Sequence, residues 1–336
     1  MRGFRMVSLV AALTALGVGM AGCALAPIVR TQVLAENDDF VIVQTGFQES
    51  LEHLAERFLG DPAQHWQIAE FNDIDEAHPG AELVIPKYYV NPTGVWTTGY
   101  QTVPILVYHR FGAGDEPRDP MEVPRARFRA QMALLRDEGY QVISLRDLGE
   151  FLKGRRALPR KSVVITIDDG FQSAYTIAFP VLREFGFPAT LFVYTDFVKG
   201  EPGLDWEALR AMVATGLVEV ACHSKTHANL SLRREGETEP EYRARLGEEV
   251  RSPTRLLRER LGVPSEAFSF PYGDANDEVI TALKSEGYEL ALTVTRGGNA
   301  AFADPYRLRR TMIYGEDGLS DFRRRLQTFQ PMETRP

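Results

Sequence analysis

The sequence predicts an α/β fold: a parallel barrel or sheet, preceded by a small unit of strand, two helices and strand. Three observations carry this reading. From Val103 onward, short apolar runs rich in branched residues alternate with longer stretches of helical spacing, the pattern of a parallel sheet with crossover helices. Residues 40–87 hold only two such runs, with two helical stretches between them. Between the two regions, 88–101 contains Asn91-Pro92-Thr93-Gly94 and few branched residues before Val95, which predicts a linker.

The elements follow in order. Met1 to Arg5 is basic, Met6 to Met20 is apolar but short for a membrane span, and Ala21-Gly22-Cys23 follows, so residues 1–22 read as a secretory signal. Residues 23–39, Ala- and Pro-containing and then polar, read as a tether. In the small unit, Phe40 to Val43 and Leu83 to Ile85 read as strands. Leu51, Leu54, Ala55 and Phe58 mark one helix, and Trp66, Ile68, Ala69 and Phe71 mark another. In 102–330, strands are predicted at 103–108, 141–145, 163–167, 189–193, 217–222, 267–270, 290–294 and 308–313. Helices are predicted at 124–138, 173–186, 205–215, 240–261 and 275–287.

Composition limits the function classes. With 336 residues, 44% hydrophobic and 25% charged, the chain is neither disordered nor a multi-span membrane protein. Its net charge is -8 and its Lys and Arg residues form no long cluster, which argues against a nucleic-acid partner. Cys23 and Cys222 are the only cysteines, so if Cys23 is modified the fold contains no intrachain disulfide.

Three segments carry chemistry. Val163-Val-Ile-Thr-Ile167 delivers Asp168, Asp169 and Gly170 to a strand end, where a parallel barrel gathers catalytic groups. Neighbouring carboxylates on extended chain point in different directions, which suits a metal ligand beside a general base. His223 and His227 follow another strand, spaced so that both can address one ion, and they are two of only six histidines. Phe268-Ser-Phe-Pro-Tyr272-Gly273 offers a turn in which the Tyr272 N–H can face an oxyanion and its ring can wall a groove. Asp205 reads as a helix N-cap, and Trp206 as a packing or groove-wall residue. Cys222 reads as a buried core thiol.

These residues support resemblances. The segment ending in Cys23 resembles a bacterial lipobox, with Met20 where Leu is usual. This implies an exported protein held to a membrane through lipid on Cys23. Residues 40–87, above all His78-Pro-Gly-Ala-Glu-Leu-Val-Ile-Pro-Lys87, resemble a LysM module, which binds N-acetylglucosamine glycans, although Gly46-Phe47-Gln48 departs from its usual opening. Thr166-Ile-Asp-Asp-Gly170, His223-Ser-Lys-Thr-His227 and Ser269-Phe-Pro-Tyr272 together resemble the motifs of the polysaccharide deacetylases, carbohydrate esterase family four, with Ser269 where that family has Arg.

The deacetylase resemblance implies a distorted (β/α)7 barrel. It implies Asp169, His223 and His227 as ligands of a divalent metal, zinc in the first instance, and Asp168 as the general base. Tyr272 would supply the oxyanion N–H. Arg310, if not a surface arginine, would supply the charge that the missing motif Arg normally gives to Asp168. The late Leu-x-His motif is absent, and His109 is the candidate acid. Pro104 to His109 and Thr293 to Asn299 look like the branch acting on poly-β-1,6-N-acetylglucosamine, in which the early His serves as the acid. The implied partner is an N-acetylglucosamine polysaccharide at the cell envelope. Peptidoglycan or chitin oligomers, O-acetylated xylan-type polymers, and a catalytically inactive glycan-binding lipoprotein are the alternatives.

Overall fold

A computed structural model describes residues 30–89, 91–262 and 265–332. The predicted signal, residues 1–22, and Cys23 lie outside the described residues. The chain divides into two compact units at Lys87/Tyr88. No helix among the described residues is long and apolar enough to cross a membrane.

In the first unit, strand Phe40–Gln44 lies between antiparallel neighbours Gln32–Glu36 and Glu82–Pro86. Val41 and Val43 point inward with the strand's period of two and meet Leu83 and Ile85. Helices Leu51–Leu59 and His65–Asn72 close over this face through Leu54, Ala55 and Ile68, whereas Phe71 is exposed. Ser50 caps the first helix by accepting the His53 N–H, and Gly60 ends it in the left-handed region. Asn72 stitches the second helix to the sheet, donating to the Val84 carbonyl and accepting its N–H. Residues 32–36, expected as tether, form a strand. All five side chains are exposed, so no apolar alternation marked it; backbone pairing alone defines it.

The second unit is an α/β domain built on seven parallel strands. In chain order they are Val103–Tyr108, Ser162–Ile167, Ala189–Val193, Val218–Cys222, Ala267–Ser269, Leu290–Leu292 and Thr311–Met312. Each of the first five pairs with the next, and Thr311–Met312 pairs on the free side of the first. A parallel bridge between Leu292 and Leu308 brings the two ends together, which curls the sheet into a distorted barrel. Every residue of the first three strands is buried, as expected of parallel strands covered on both faces. One set of side chains, including Ile105, Val164, Phe192 and Leu292, forms an inner cluster with Leu145, Leu148 and Phe151 of helix Leu145–Leu152. The alternate set, including Leu106, Ile165, Leu191 and Phe268, packs against the surrounding helices.

The other helices are Arg125–Asp137, Phe179–Phe185, Trp206–Val213, Glu239–Leu261, Asp277–Ser285 and Leu319–Arg325. Two differences from expectation have local causes. The strand expected at 141–145 ends at Ile143, because Ser144 and Asp147 form a capping box that starts helix Leu145–Leu152. In the expected linker, Val95–Trp96 and Gly99–Gln101 form a hairpin, and Phe329–Pro331 pairs with its second strand. Those strands are two and three residues long, too short for an alternation to show in sequence.

Candidate active site

Parallel strands deliver their C-terminal ends to one face. There the chain places His109 after the first strand, Asp168 and Asp169 after the second, His223 after the fourth, and Ser269 at the end of the fifth. The backbone is unusual at this face. Asp169, Ser224, His227 and Tyr272 have φ between 61° and 74°, a left-handed region in which side chains are strained. Gly170 follows at φ 82°, and a Cβ there would approach Val193 Cγ1 to 2.9 Å, so only glycine lets the strand end turn so sharply.

Asp169, His223 and His227 form the one group among the described residues that could hold a metal ion, with one ligand atom of each within 4.8 Å of the others. Asp169 Oδ1 lies 3.4 Å from His223 Nε2 and 3.3 Å from His227 Nε2, yet it is buried and accepts no hydrogen bond. His223 Nδ1 sits 2.7 Å from the Ser269 carbonyl, an acceptor only, so Nδ1 carries a proton and Nε2 is the nitrogen turned toward Asp169. A buried carboxylate oxygen that accepts no hydrogen bond and faces two imidazole nitrogens is an unsatisfied arrangement that a divalent cation would complete. Two His and one carboxylate leave positions open for water and substrate, so the residues fit a catalytic metal. Burial alone would raise the Asp169 carboxyl, but the two histidines outweigh it and hold it well below the usual carboxylate range.

Asp168 is 2% exposed and points to the other side. Arg310, itself 1% exposed, grips it with two parallel bonds, Nη1 to Oδ1 and Nη2 to Oδ2, each 2.8 Å. Ser269 Oγ donates to Asp168 Oδ2 at 3.0 Å and accepts from Arg310 Nη2 at 2.8 Å, while Arg310 Nε donates to the Thr293 carbonyl. The guanidinium that the Ser269 position lacks therefore arrives from residue 310. Burial raises the Asp168 carboxyl, but Arg310 and then His223 overcome it, leaving the group ionised and below its ordinary value. Asp168 Oδ2 also lies 3.9 Å from His223 Nε2, so the carboxylate borders the ligand cluster.

His109 is placed beside these groups, with its Nδ1 buried and without a hydrogen-bond partner. Burial lowers its pKa against the opposing pull of Asp168 and Asp169. Tyr272 is 63% exposed, its ring 4.9 Å from that of His227. Tyr194, 5.0 Å from His227 and stacked on Phe197, forms a second aromatic wall that the sequence reading did not single out. Asp205 caps its helix by accepting the Ala208 N–H, and Trp206 is buried, so it packs rather than lining the groove. Cys222 is buried, and its thiol is pushed up to about 12 by desolvation.

Residues 155–291 match the family described as polysaccharide deacetylase. A poly-beta-1,6-N-acetyl-D-glucosamine N-deacetylase of Escherichia coli strain K12 is 31% identical over 253 residues, covering 64% of this chain and 37% of that protein. The chain thus spans little more than a third of that relative's length. Among solved structures, IcaB from Ammonifex degensii is 27% identical with a TM-score of 0.57, covering 64% of this chain and 93% of that one. The Streptococcus pyogenes deacetylase PplD, 21% identical with a TM-score of 0.60, covers 67% of this chain and 98% of its own, a likeness of fold. The matched stretch, residues 155–291, contains Asp168, Asp169, His223, His227, Ser269 and Tyr272, so most of this site lies in the part of the chain that is similar to the polysaccharide deacetylases.

Proposed function

We propose that this protein removes acetyl groups from N-acetylglucosamine residues of a cell-surface polysaccharide, with the poly-β-1,6-linked exopolysaccharide as the favoured substrate. The observation that carries the reading is the pairing at one barrel end of a cation-ready set, Asp169, His223 and His227, with an Arg310-clamped carboxylate, Asp168. The 31% identity to a protein named for that polymer supports the substrate.

Asp169, His223 and His227 would hold the metal, zinc in this proposal. When bound it supplies a Lewis acid that polarises the acetamide oxygen and makes a nearby water more acidic. Asp168 takes a proton from the attacking water. Its Oδ1 accepts only the Arg310 bond at 2.8 Å, which leaves a lone pair for this role. The Tyr272 N–H faces the oxygen on which charge develops. His109 gives a proton to the departing amine, balanced over the reaction by the proton that Asp168 takes from water; burial lowers the ring's pKa, which suits it to give a proton up. Water adds to the carbonyl carbon, the C–N bond breaks, and acetate and a free amine leave. Tyr272 and Tyr194 offer ring faces to the sugar.

Residues 1–22 would direct export and lipid on Cys23 would hold the protein to a membrane at the cell envelope. Residues 40–87 would act as a LysM-like module joined through 88–94 to the catalytic unit. The decisive assay uses the chain from residue 31, stripped of metal and reloaded with zinc. Acetate release is followed on β-1,6-linked N-acetylglucosamine oligomers, chitin oligomers and peptidoglycan. Zinc-dependent release that Asp168→Asn abolishes establishes the activity and names the polymer. Zinc binding without release on any substrate would refute it.

A further inference from the structure

The segment 223–227 carries two of the three proposed metal ligands, and its backbone does not adopt its shape freely. Ser224 and His227 have φ of 68° and 61°. For residues with a Cβ, that conformation persists only where the surroundings over-determine it.

The chief constraint comes from a carboxylate with no role in the chemistry above. Glu249 lies within the long helix Glu239–Leu261 and is 3% exposed. Its Oε2 accepts the backbone N–H of Lys225 and of Thr226, each at 3.0 Å, and its Oε1 accepts the Thr226 hydroxyl at 2.7 Å. Both amides lie between the two histidines. On its other side the loop is held by the segment after strand Ala189–Val193: the Ser224 and Lys225 carbonyls accept from the N–H groups of Thr195 and Asp196. Within the loop, Ser224 Oγ accepts the His227 N–H at 2.9 Å. Burying a carboxylate is costly, and an apolar side chain would join helix to barrel at less expense. What the charge adds is directional: three donors of one loop converge on one side chain, in bonds stronger than neutral ones.

We propose that Glu249 is a positioning residue for the metal ligands, fixing the loop so that His223 Nε2 and His227 Nε2 face Asp169 Oδ1 before an ion arrives. This rests on reading those three residues as the metal set. Side chains that orient metal ligands contribute to affinity without touching the ion, and their loss typically weakens binding about 10- to 100-fold.

The test uses the full-length chain and zinc alone. Zinc affinity is measured by chelator competition, and the unfolding midpoint is measured on the zinc-free chain, for the wild type, Glu249→Gln and Thr226→Val. Glu249→Gln keeps the shape but loses the charge, and zinc should bind about 10- to 100-fold more weakly to the folded protein. Thr226→Val removes one hydroxyl bond and should weaken zinc by about two- to fivefold. A purely structural brace would lower the zinc-free midpoint of Glu249→Gln while leaving zinc affinity within about twofold of wild type, within the scatter of a minor hydrogen bond, and that result would overturn the proposal. If Glu249→Gln does not fold, Thr226→Val decides: unchanged affinity overturns the proposal and weakened affinity supports it. If the wild type binds no zinc, the metal reading itself fails and the proposal goes with it, an outcome distinct from equal binding by wild type and variant.

Discussion

At the scale of single residues, Asp168 and Arg310 form a buried, doubly hydrogen-bonded ion pair beside the proposed ligands. Both are buried, and removing the cation would leave an ionised carboxylate with Ser269 as its remaining side-chain donor. Breaking a buried pair from one side costs far more than the pair contributes, so Arg310→Met should destabilise the protein by about 3–5 kcal/mol in urea unfolding. A loss below about 1 kcal/mol, the range of a surface pair, would show the bridge to be dispensable. His109 allows a cleaner separation of roles. It has an orphaned Nδ1 and is not among the proposed ligands, so His109→Gln should lower kcat by about 10²–10⁴ while zinc affinity stays at the wild-type level. Full activity in that variant would remove His109 from the chemistry. The two carboxylates and two histidines were legible because short motifs carry them. Arg310 was left between a surface role and this one, because charged residues are usually exposed and its partner lies 142 positions away. The available signal was strand alternation: Leu308 and Arg310 share a face, Arg309 points out, and an arginine on the inner face needs a carboxylate there. Glu249 left no trace in sequence, since a helix glutamate ordinarily faces water.

At the scale of elements, helix Glu239–Leu261 does more than cover the barrel. Its middle holds the histidine loop through Glu249, and its N-terminal part is tied to the preceding turn by Glu237 and Arg245. Glu237 accepts from Arg245 Nε at 2.6 Å and Nη2 at 2.8 Å, and from the Arg234 N–H at 3.0 Å. The Arg245 bonds, foremost, hold the Glu237 carboxyl at about 2, against a usual 4.5. A depressed folded-state pKa contributes stability above the usual value, and that contribution is lost as pH falls from about 4.5 towards about 2. Urea midpoints at pH 5 and pH 3 should therefore fall further for the wild type than for Glu237→Gln. Parallel losses would mean that the bridge does not hold the turn. Periodicity located every one of the seven barrel strands and five of the helices that cover them. It missed helix Leu145–Leu152 because the predicted strand ran on to residue 145, across the Ser144 capping box that marks the boundary. The hairpin at 95–101 was missed for a different reason: its pairing partner is Phe329–Pro331, a contact that no local window contains.

At the scale of the whole molecule, the two units bury separate cores. Val41, Leu54, Ile68 and Ile85 form one cluster in the first unit, and the barrel's inner and outer clusters lie entirely in the second. The proposed metal ligands, Asp169, His223 and His227, also lie entirely in the second unit. A ligand that binds only the folded form stabilises the unit it binds, by about 2.7 kcal/mol when its concentration is 100 times its Kd. For a domain of the barrel's size, each kcal/mol moves Tm by roughly 2–4 °C, so saturating zinc should raise the barrel transition by roughly 5–10 °C. The first unit has none of these ligands, and its transition should stay where it is. Calorimetry of the full chain with zinc and with excess chelator reads both at once. Two transitions, of which only the larger moves, would agree with separate cores and a metal confined to the barrel. A single transition moving as one would show that the units unfold together, and a fixed pair of transitions would deny the barrel its metal. His227→Ala sharpens the result: without the third ligand the barrel transition should lose its response to zinc, while the first unit's transition is unchanged.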